Sequence, residues 1–211
     1  MAKLMLLRHG QSEWNKKNLF TGWIDIPLSQ EGIDEAIRAG EEIKEISIER
    51  IYTSTLVRGM MTVMLCMLSH HSGKVPVVVH PEEWYHMCDA QAQSHLIPVI
   101  SAWELNERMY GKLQGKDKNQ MRREYGEEQV KIWRRSFAAP PPEGESLKMT
   151  AERTIPYFKQ EILPRLKKGE NILVVAHGNS LRSIVMEIEK LNEEEVLNLE
   201  IPTGKTLYYT F

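Results

Sequence analysis

Apolar residues fall along this chain in two kinds of pattern. The first is the short unbroken run. Leu4 to Leu7 carries no polar interruption, and neither does Ile172 to Ala176. A strand exposed on one face alternates; one that is apolar throughout is buried on both faces. Lys3 to Leu7 and Asn171 to Gly178 ("NILVVAHG") therefore read as strands; Arg50 to Ser54, Val75 to His80 and the late segment "TLYYT" also read as strands. The second pattern repeats at helical spacing. Ile33, Ala36, Ile37, Gly40 and Ile43 predict a helix over about 30–46, with Ser29 as its cap. Met60 to Leu68 is apolar nearly all round, which predicts a buried helix capped by Thr55.

Between these elements the chain is more polar. A glycine-containing loop follows the first strand to about Pro27. Pro81 to Ile100 reads as a surface excursion with one helix, and Leu105 to Leu113 as a short irregular stretch. Asp117 to Tyr125 and Glu127 to Ser136 read as two helices separated by Gly126. The run "AAPPPEGES" is excluded from helix and central strand and reads as a rigid loop. Ser146 or Thr150 then caps a helix to about Lys168, with kinks expected at Pro156 and Pro164. Asn179 is the expected cap of a helix to Leu191, and Asn192 of a shorter one.

Strands alternate with helices. That order predicts an α/β fold of three layers, a mostly parallel central sheet with helices on both faces. Residues 1–211 read as a single domain with an irregular excursion around 69–146, and no internal repeat or low-complexity linker interrupts it.

Composition narrows the function classes. With 42% apolar and 27% charged residues the chain reads as an ordinary globular protein. Its net charge of −2 gives no global reason to expect nucleic acid or an anionic membrane as partner, so any anion site must be a local cluster of positive groups. Two cysteines, Cys66 and Cys88, argue against a disulfide framework and for a reducing, cytoplasmic setting. The N-terminal apolar run is too short for a signal peptide, and no stretch approaches the ~20 apolar residues of a membrane helix. His70, His71, His80, His86 and His95 invite a metal reading, with Cys88 beside His86, but no pair has clean ligand spacing and no metal is expected.

The two best strands both end on a histidine followed by glycine, at His9-Gly10 and His177-Gly178. Ligands of open α/β sheets bind beyond the carboxyl ends of strands, so these two histidines are expected to meet. Imidazole is a good nucleophile near neutral pH. Arg8 can grip two phosphoryl oxygens at once, Gly10 lets backbone approach closely, and the helix after His177 offers its dipole and free N–H groups, with Asn179, to an anion. The constellation points to phosphoryl chemistry.

These residues lie in longer motifs. "LLRHGQSEWN", "NLFTGWIDIPLSQEG", "YTSTLVRG", "LNERMYGKLQGKDK", "WRRSF", "PPPEGESL" and "AHGNSLR" resemble, in order and over nearly the whole chain, the histidine phosphatase superfamily. Within it they are most similar to the mutases that depend on 2,3-bisphosphoglycerate. The resemblance implies that His9 is the phosphorylated nucleophile and Glu107 the proton donor and acceptor. It implies that Arg8, Arg58 and His177 line the phosphoryl pocket. Ser12, Asn15, Thr21, Gly22, Gly178 and Asn179 would add phosphate and substrate contacts, and Arg108, Tyr110, Lys118, Arg134 and Arg135 would hold the far phosphate and the carboxylate. It further implies interconversion of 3- and 2-phosphoglycerate, 2,3-bisphosphoglycerate as primer of the phosphoenzyme, no metal, and a homo-oligomer, dimer or tetramer.

Three features depart from the family pattern. Met109 stands where a histidine is expected. The segment from Ser69 to Ser101 looks longer than the usual connection. The sequence stops at Phe211, short of the polar tail that the family closes over its site, and a missing tail would favour phosphatase side activity. The same scaffold also suits a bisphosphoglycerate mutase or phosphatase. A non-catalytic phospholigand-binding protein would need a lost nucleophile or acid, and His9 and Glu107 are both present.

Overall fold

The structure is a computed structural model that describes residues 1–80 and 94–211. Its strands are β1 (Lys3–Arg8), β2 (Arg50–Thr53), β3 (Val75–Val78), β4 (Leu96–Ser101), β5 (Ile172–Ala176) and β6 (Thr206–Thr210). They form one six-stranded sheet in the order β3-β4-β2-β5-β1-β6. Only β6 runs antiparallel to its neighbour; the other four pairings are parallel. Both faces are covered over β1 and β5, which is why those two strands read as continuous apolar runs. On one face Leu4, Leu6, Val174 and Ala176 pack against Phe158, Ile162, Leu181 and Ile184. On the other, Met5, Leu7, Leu173 and Val175 pack against Ala39, Ile43, Val63 and Cys66.

The covering helices are α1 (Glu13–Lys16), α2 (Gln30–Ile43), α3 (Val57–Cys66), α4 (Lys118–Tyr125), α5 (Glu127–Arg135), α6 (Leu147–Tyr157), α7 (Leu163–Lys167), α8 (Gly178–Glu189) and α9 (Glu193–Asn198). A π-helical stretch, Phe158–Ile162, joins α6 to α7 between the two prolines that were expected to kink one helix. The pair α4–α5 has a small core of its own, in which Phe20 and Leu113 meet Met121, Val130 and Trp133. Among the described residues no helix is long and apolar enough to cross a membrane.

Three local readings are corrected. Ile97 and Val99 are fully buried on β4, an interior strand, in the stretch expected to be a surface excursion. Pro98 hides that strand, because a proline argues against a central position; the helix expected there, with His86 and Cys88, lies outside the described residues. Thr55 does not cap α3: its N–H and hydroxyl both donate to Asn106 Oδ1 at 2.9 Å, and Asp25 Oδ1 accepts the Val57 N–H instead. Asn179 sits inside the first turn of α8, and His177 holds the cap position, where its N–H donates to Ser180 Oγ. Ser29, Ser146 and Asn192 do cap α2, α6 and α9, each accepting from an N–H three residues on.

Gly10 does allow a close backbone approach, and the backbone that approaches is that of α2. A Cβ there would lie 2.1 Å from Gly32 O, and one on Gly32 would lie 2.0 Å from Gln11 O. The loop after β1 thus crosses the first turn of α2 with backbone against backbone. Alanine is ordinarily better than glycine in a helix by ~1 kcal/mol. At Gly32 the overlap with immovable backbone outweighs that preference. Gly32→Ala is expected to lower stability by about 1–3 kcal/mol, read as a lower urea midpoint at unchanged m-value. A gain in stability would show that α2 can move away freely.

Candidate active site

Register places the two strand-end histidines. The last parallel pair of β1 and β5 is Arg8 with Ala176, so His9 and His177 leave the sheet side by side. The His9 N–H still donates to Ala176 O at 3.0 Å. Their rings stand 4.8 Å apart between centroids, and both side chains are buried.

Each ring has a defined partner. His9 Nδ1 lies 2.6 Å from Gly10 O. A carbonyl only accepts, so Nδ1 carries the proton and the Nε2 lone pair is left as the nucleophile. Burial, then the nearby Arg58 and Arg8, push the His9 pKa well below its usual value, which keeps the ring neutral. His177 Nε2 pairs with Ser54 Oγ at 2.7 Å, and its Nδ1 is buried without a partner among the described residues. Its pKa is also driven down, by burial first and then by Arg58.

Glu107 is a buried carboxylate beside them. Arg108 N–H donates to its Oε1 at 2.7 Å, and Asn179 donates to the same oxygen from Nδ2 at 2.8 Å and from its backbone at 3.3 Å. Among the described residues the donors all fall on Oε1, and none is given to Oε2. Burial opposes ionisation of Glu107, but the hydrogen bonds from Asn179 and Arg108 and the charges of Arg8 and Arg58 hold its pKa below the usual value. Its resting form is therefore the base.

These groups open into a cavity of about 350 Å³. Arg8, His9, Asn15, Thr21, Gly22, Arg58 and Glu107 line it, and so do Tyr110, Lys118, Arg134, Arg135, Gly178 and Asn179. The structure thus gathers those thirteen expected residues on one wall. Three others stand behind it. Ser12 Oγ caps α1 through the Asn15 N–H, and Asn15 Oδ1 returns the bond, so Ser12 acts on Asn15. Arg108 is turned away, donating to Tyr110 Oη at 3.0 Å and Arg134 O at 3.1 Å. His177 sits behind His9. Sequence reasoning missed Leu19, Phe20, Arg182, Glu200, Ile201 and Pro202, which complete the wall. Arg182 follows Asn179 by three residues, one helical turn, and that spacing was the available signal; the segment from Glu200 to Pro202 offered none.

Six basic side chains meet only two carboxylates, Glu107 and Glu200, in this wall. Arg58 donates to Gly22 O at 2.7 Å and Ile24 O at 3.0 Å, and burial lowers its pKa to about 10. Burial also lowers the pKa of Lys118, Arg134 and Arg182, with neighbouring cations adding to the effect. Arg8 Nη1 donates to Ile201 O at 2.6 Å while its buried Nε has no partner among the described residues. A bound anion relieves both the mutual repulsion and the unpaired donors. Among the described residues, no group of three or more His, Cys, Asp or Glu side chains is placed to hold a metal ion. Cys66 is buried away from the cavity, and burial pushes its thiol up to about 12.

The model of one family, the histidine phosphatase superfamily (branch 1), matches residues 4–82 and 85–210. The 2,3-bisphosphoglycerate-dependent phosphoglycerate mutase of Protochlamydia amoebophila is 58% identical over 216 residues, covering 100% of this chain and 96% of the relative. That of Chlamydia pneumoniae is 56% identical, covering 99% and 93%. Among solved structures, the alpha-ribazole phosphatase from Shigella flexneri superposes with a TM-score of 0.76 at 20% identity, over 98% of this chain and 89% of that one. That likeness shows the fold alone.

The buried neutral histidines make stability depend on pH. His9 and His177 titrate below the 6.5 of an unfolded histidine. Under acid the unfolded chain therefore binds more protons than the folded one. Stability present above pH 6.5 is lost as pH falls from there toward the depressed values, by up to about 1.4 kcal/mol per pH unit for each histidine. Thermal melts between pH 7.5 and 5.5 should show this decline, shallower in His177→Asn. A profile that is flat, or equally steep in the variant, counts against two neutral buried rings.

Proposed function

The chain belongs to the histidine phosphatase superfamily, branch 1, and on that premise we propose that its cavity interconverts 3-phosphoglycerate and 2-phosphoglycerate through a phosphohistidine on His9. One observation carries the reading. A neutral imidazole with its Nδ1–H pinned to Gly10 shares a strongly basic cavity with a carboxylate held in its ionised form. The high-identity relatives are named as mutases of this kind.

The residues divide the work. His9, once phosphorylated on Nε2, gives its phosphoryl group to the free hydroxyl of a phosphoglycerate. The P–N bond breaks, a P–O bond forms, and Glu107 takes the hydroxyl proton. On return, His9 Nε2 attacks the other phosphorus and Glu107 gives its proton to the leaving oxygen. The depressed pKa of Glu107 fits this order, in which it acts within a turnover first as a base and then as an acid. Arg8 and Arg58 line the cavity around the phosphoryl group in flight, whose charge spreads over its oxygens, and His177 supports them from behind His9. Lys118, Arg134 and Arg135 hold the far phosphate and the carboxylate.

The residues present also fit 2,3-bisphosphoglycerate, because its two phosphates and carboxylate match the excess of cations and the orphaned donor Arg8 Nε. When bound it supplies the phosphoryl group that charges His9. Small phosphoglycerates are thus the proposed ligands, with no nucleic acid or membrane partner, and a homodimer or tetramer is part of the same proposal.

The test is conversion of 3-phosphoglycerate to 2-phosphoglycerate, coupled to enolase, with the protein dialysed against chelator and the assay's magnesium restored for the coupling enzyme. Turnover should rise with trace 2,3-bisphosphoglycerate, survive the chelator step, and vanish in His9→Ala. Glu107→Gln should lower kcat by about 10²–10⁴-fold. Release of inorganic phosphate without isomerisation would place the chain with phosphatases instead. Failure of His9 to gain a covalent phosphate, read by intact mass, would leave only a binding role.

A further inference from the structure

Proton exchange demands that the Glu107 carboxylate be fixed where a hydroxyl arrives. Yet Glu107 lies on no helix or strand. It follows the 3-10 turn Trp103–Leu105, on an irregular stretch that ends at Tyr110. Such backbone is held only by what it bonds to.

One side chain collects the carbonyls of this stretch. Arg153 projects from α6, and its Nη1 donates to Glu104 O at 2.7 Å and Asn106 O at 3.1 Å. Its Nη2 donates to Asn106 O at 3.1 Å and Glu107 O at 3.0 Å. The remaining donors grip Glu145, from Nε at 2.9 Å and Nη2 at 2.8 Å. Glu145 in turn accepts the Met109 N–H at 2.9 Å. The Arg153–Glu145 pair therefore holds the chain on both sides of Glu107 and Arg108. Only 8% of the Arg153 side chain is exposed, and its guanidinium lies 5.5 Å from the Trp23 ring and 5.8 Å from Trp103. Trp23 adds a direct bond, Nε1 to Glu107 O at 2.5 Å. An ion pair that served only to neutralise Glu145 would not need these three backbone carbonyls and a fourth, Trp103 O at 3.4 Å.

We propose that Arg153, with Trp23, is the positioning residue that holds the Glu107 carboxylate in register for proton exchange. The inference rests on the acid–base role of Glu107. Neither side chain lines the cavity, so both act through the backbone of Glu107 and not on the ligand.

Leaving-group chemistry separates positioning from plain structural support. His9 phosphorylation by 2,3-bisphosphoglycerate expels an alkoxide that needs a proton from Glu107. Phosphorylation by 4-nitrophenyl phosphate expels a phenolate that does not. Both rates are measured on the full chain by rapid quench and intact mass, for Arg153→Lys, Trp23→Phe and the reference Glu107→Gln. Arg153→Lys and Trp23→Phe should slow the first reaction about 10–100-fold and leave the second within about twofold. Trp23→Phe keeps the ring and removes one N–H, so it carries the test if Arg153→Lys does not fold. Equal loss with both donors, or no loss, in variants that fold would overturn the proposal. Equal loss in Glu107→Gln itself would instead show that the acid–base reading is wrong, and the inference falls with it.

Discussion

Parallel pairing of β1 with β5 is the constraint on which the site depends. No local contact brings His9 and His177 together, and 168 positions separate them. They meet because Leu4 to Arg8 run in register with Ile172 to Ala176. A slip of one residue would turn Leu6 and Val174 from one core to the other, so the hydrophobic contacts on both faces fix the register tightly. The chemistry inherits its precision from that packing. β2 contributes in the same way: Thr53 Oγ1 donates to Val175 O at 2.8 Å, and the next residue brings Ser54 Oγ to His177.

Electrostatics works against the fold at this same point. Arg58 is almost fully buried, and Arg8 keeps an unpaired Nε next to two rings that burial and positive charge hold neutral. Such groups destabilise an empty site and stabilise one that holds phosphate. The protein sustains them because the loops around them are tied elsewhere. Arg58 is anchored on Gly22 O and Ile24 O, and Arg8 on Ile201 O. Each arginine thus spends some donors on scaffolding and keeps charge directed at the cavity, a division that the planar guanidinium allows and a lysine does not.

What was legible in the sequence follows the range of the interactions. Ser29, Ser146 and Asn192 were readable as caps because each bonds three residues onward. Thr55 and Asn179 misled for the opposite reason: their bonds go to Asn106 and Glu107, far away in sequence. β1 and β5 were readable from their unbroken apolar runs, whereas at β4 Pro98 masked the buried Ile97 and Val99. At the site, the strand-end histidines could be found from pattern and fold rule together. Glu107 could not; only the likeness of "LNER" to a family motif singled it out. Arg153 and Arg182 look like solvated helix-face arginines until the tertiary structure shows Arg153 closed over by two tryptophans and Arg182 donating to Leu199 O at 2.6 Å.

The two reacting groups are therefore built differently. His9 sits at the end of a strand, where the sheet fixes its backbone and one hydrogen bond to Gly10 fixes its tautomer. It must present one atom on one line to phosphorus, and a rigid element suits that demand. Glu107 sits on irregular backbone between two short 3-10 turns, next to Arg108, whose guanidinium supports Tyr110 and the last turn of α5. In the proposed reaction it serves a hydroxyl on either of two adjacent carbons, so the bonds that fix its carboxylate must suit both. A loop clamped from behind by Arg153 and Glu145, with one carboxylate oxygen held by Asn179 and the other given no donor among the described residues, meets that need. In the proposed reaction a strand-borne nucleophile and a braced acid–base are separate solutions to two different geometric demands.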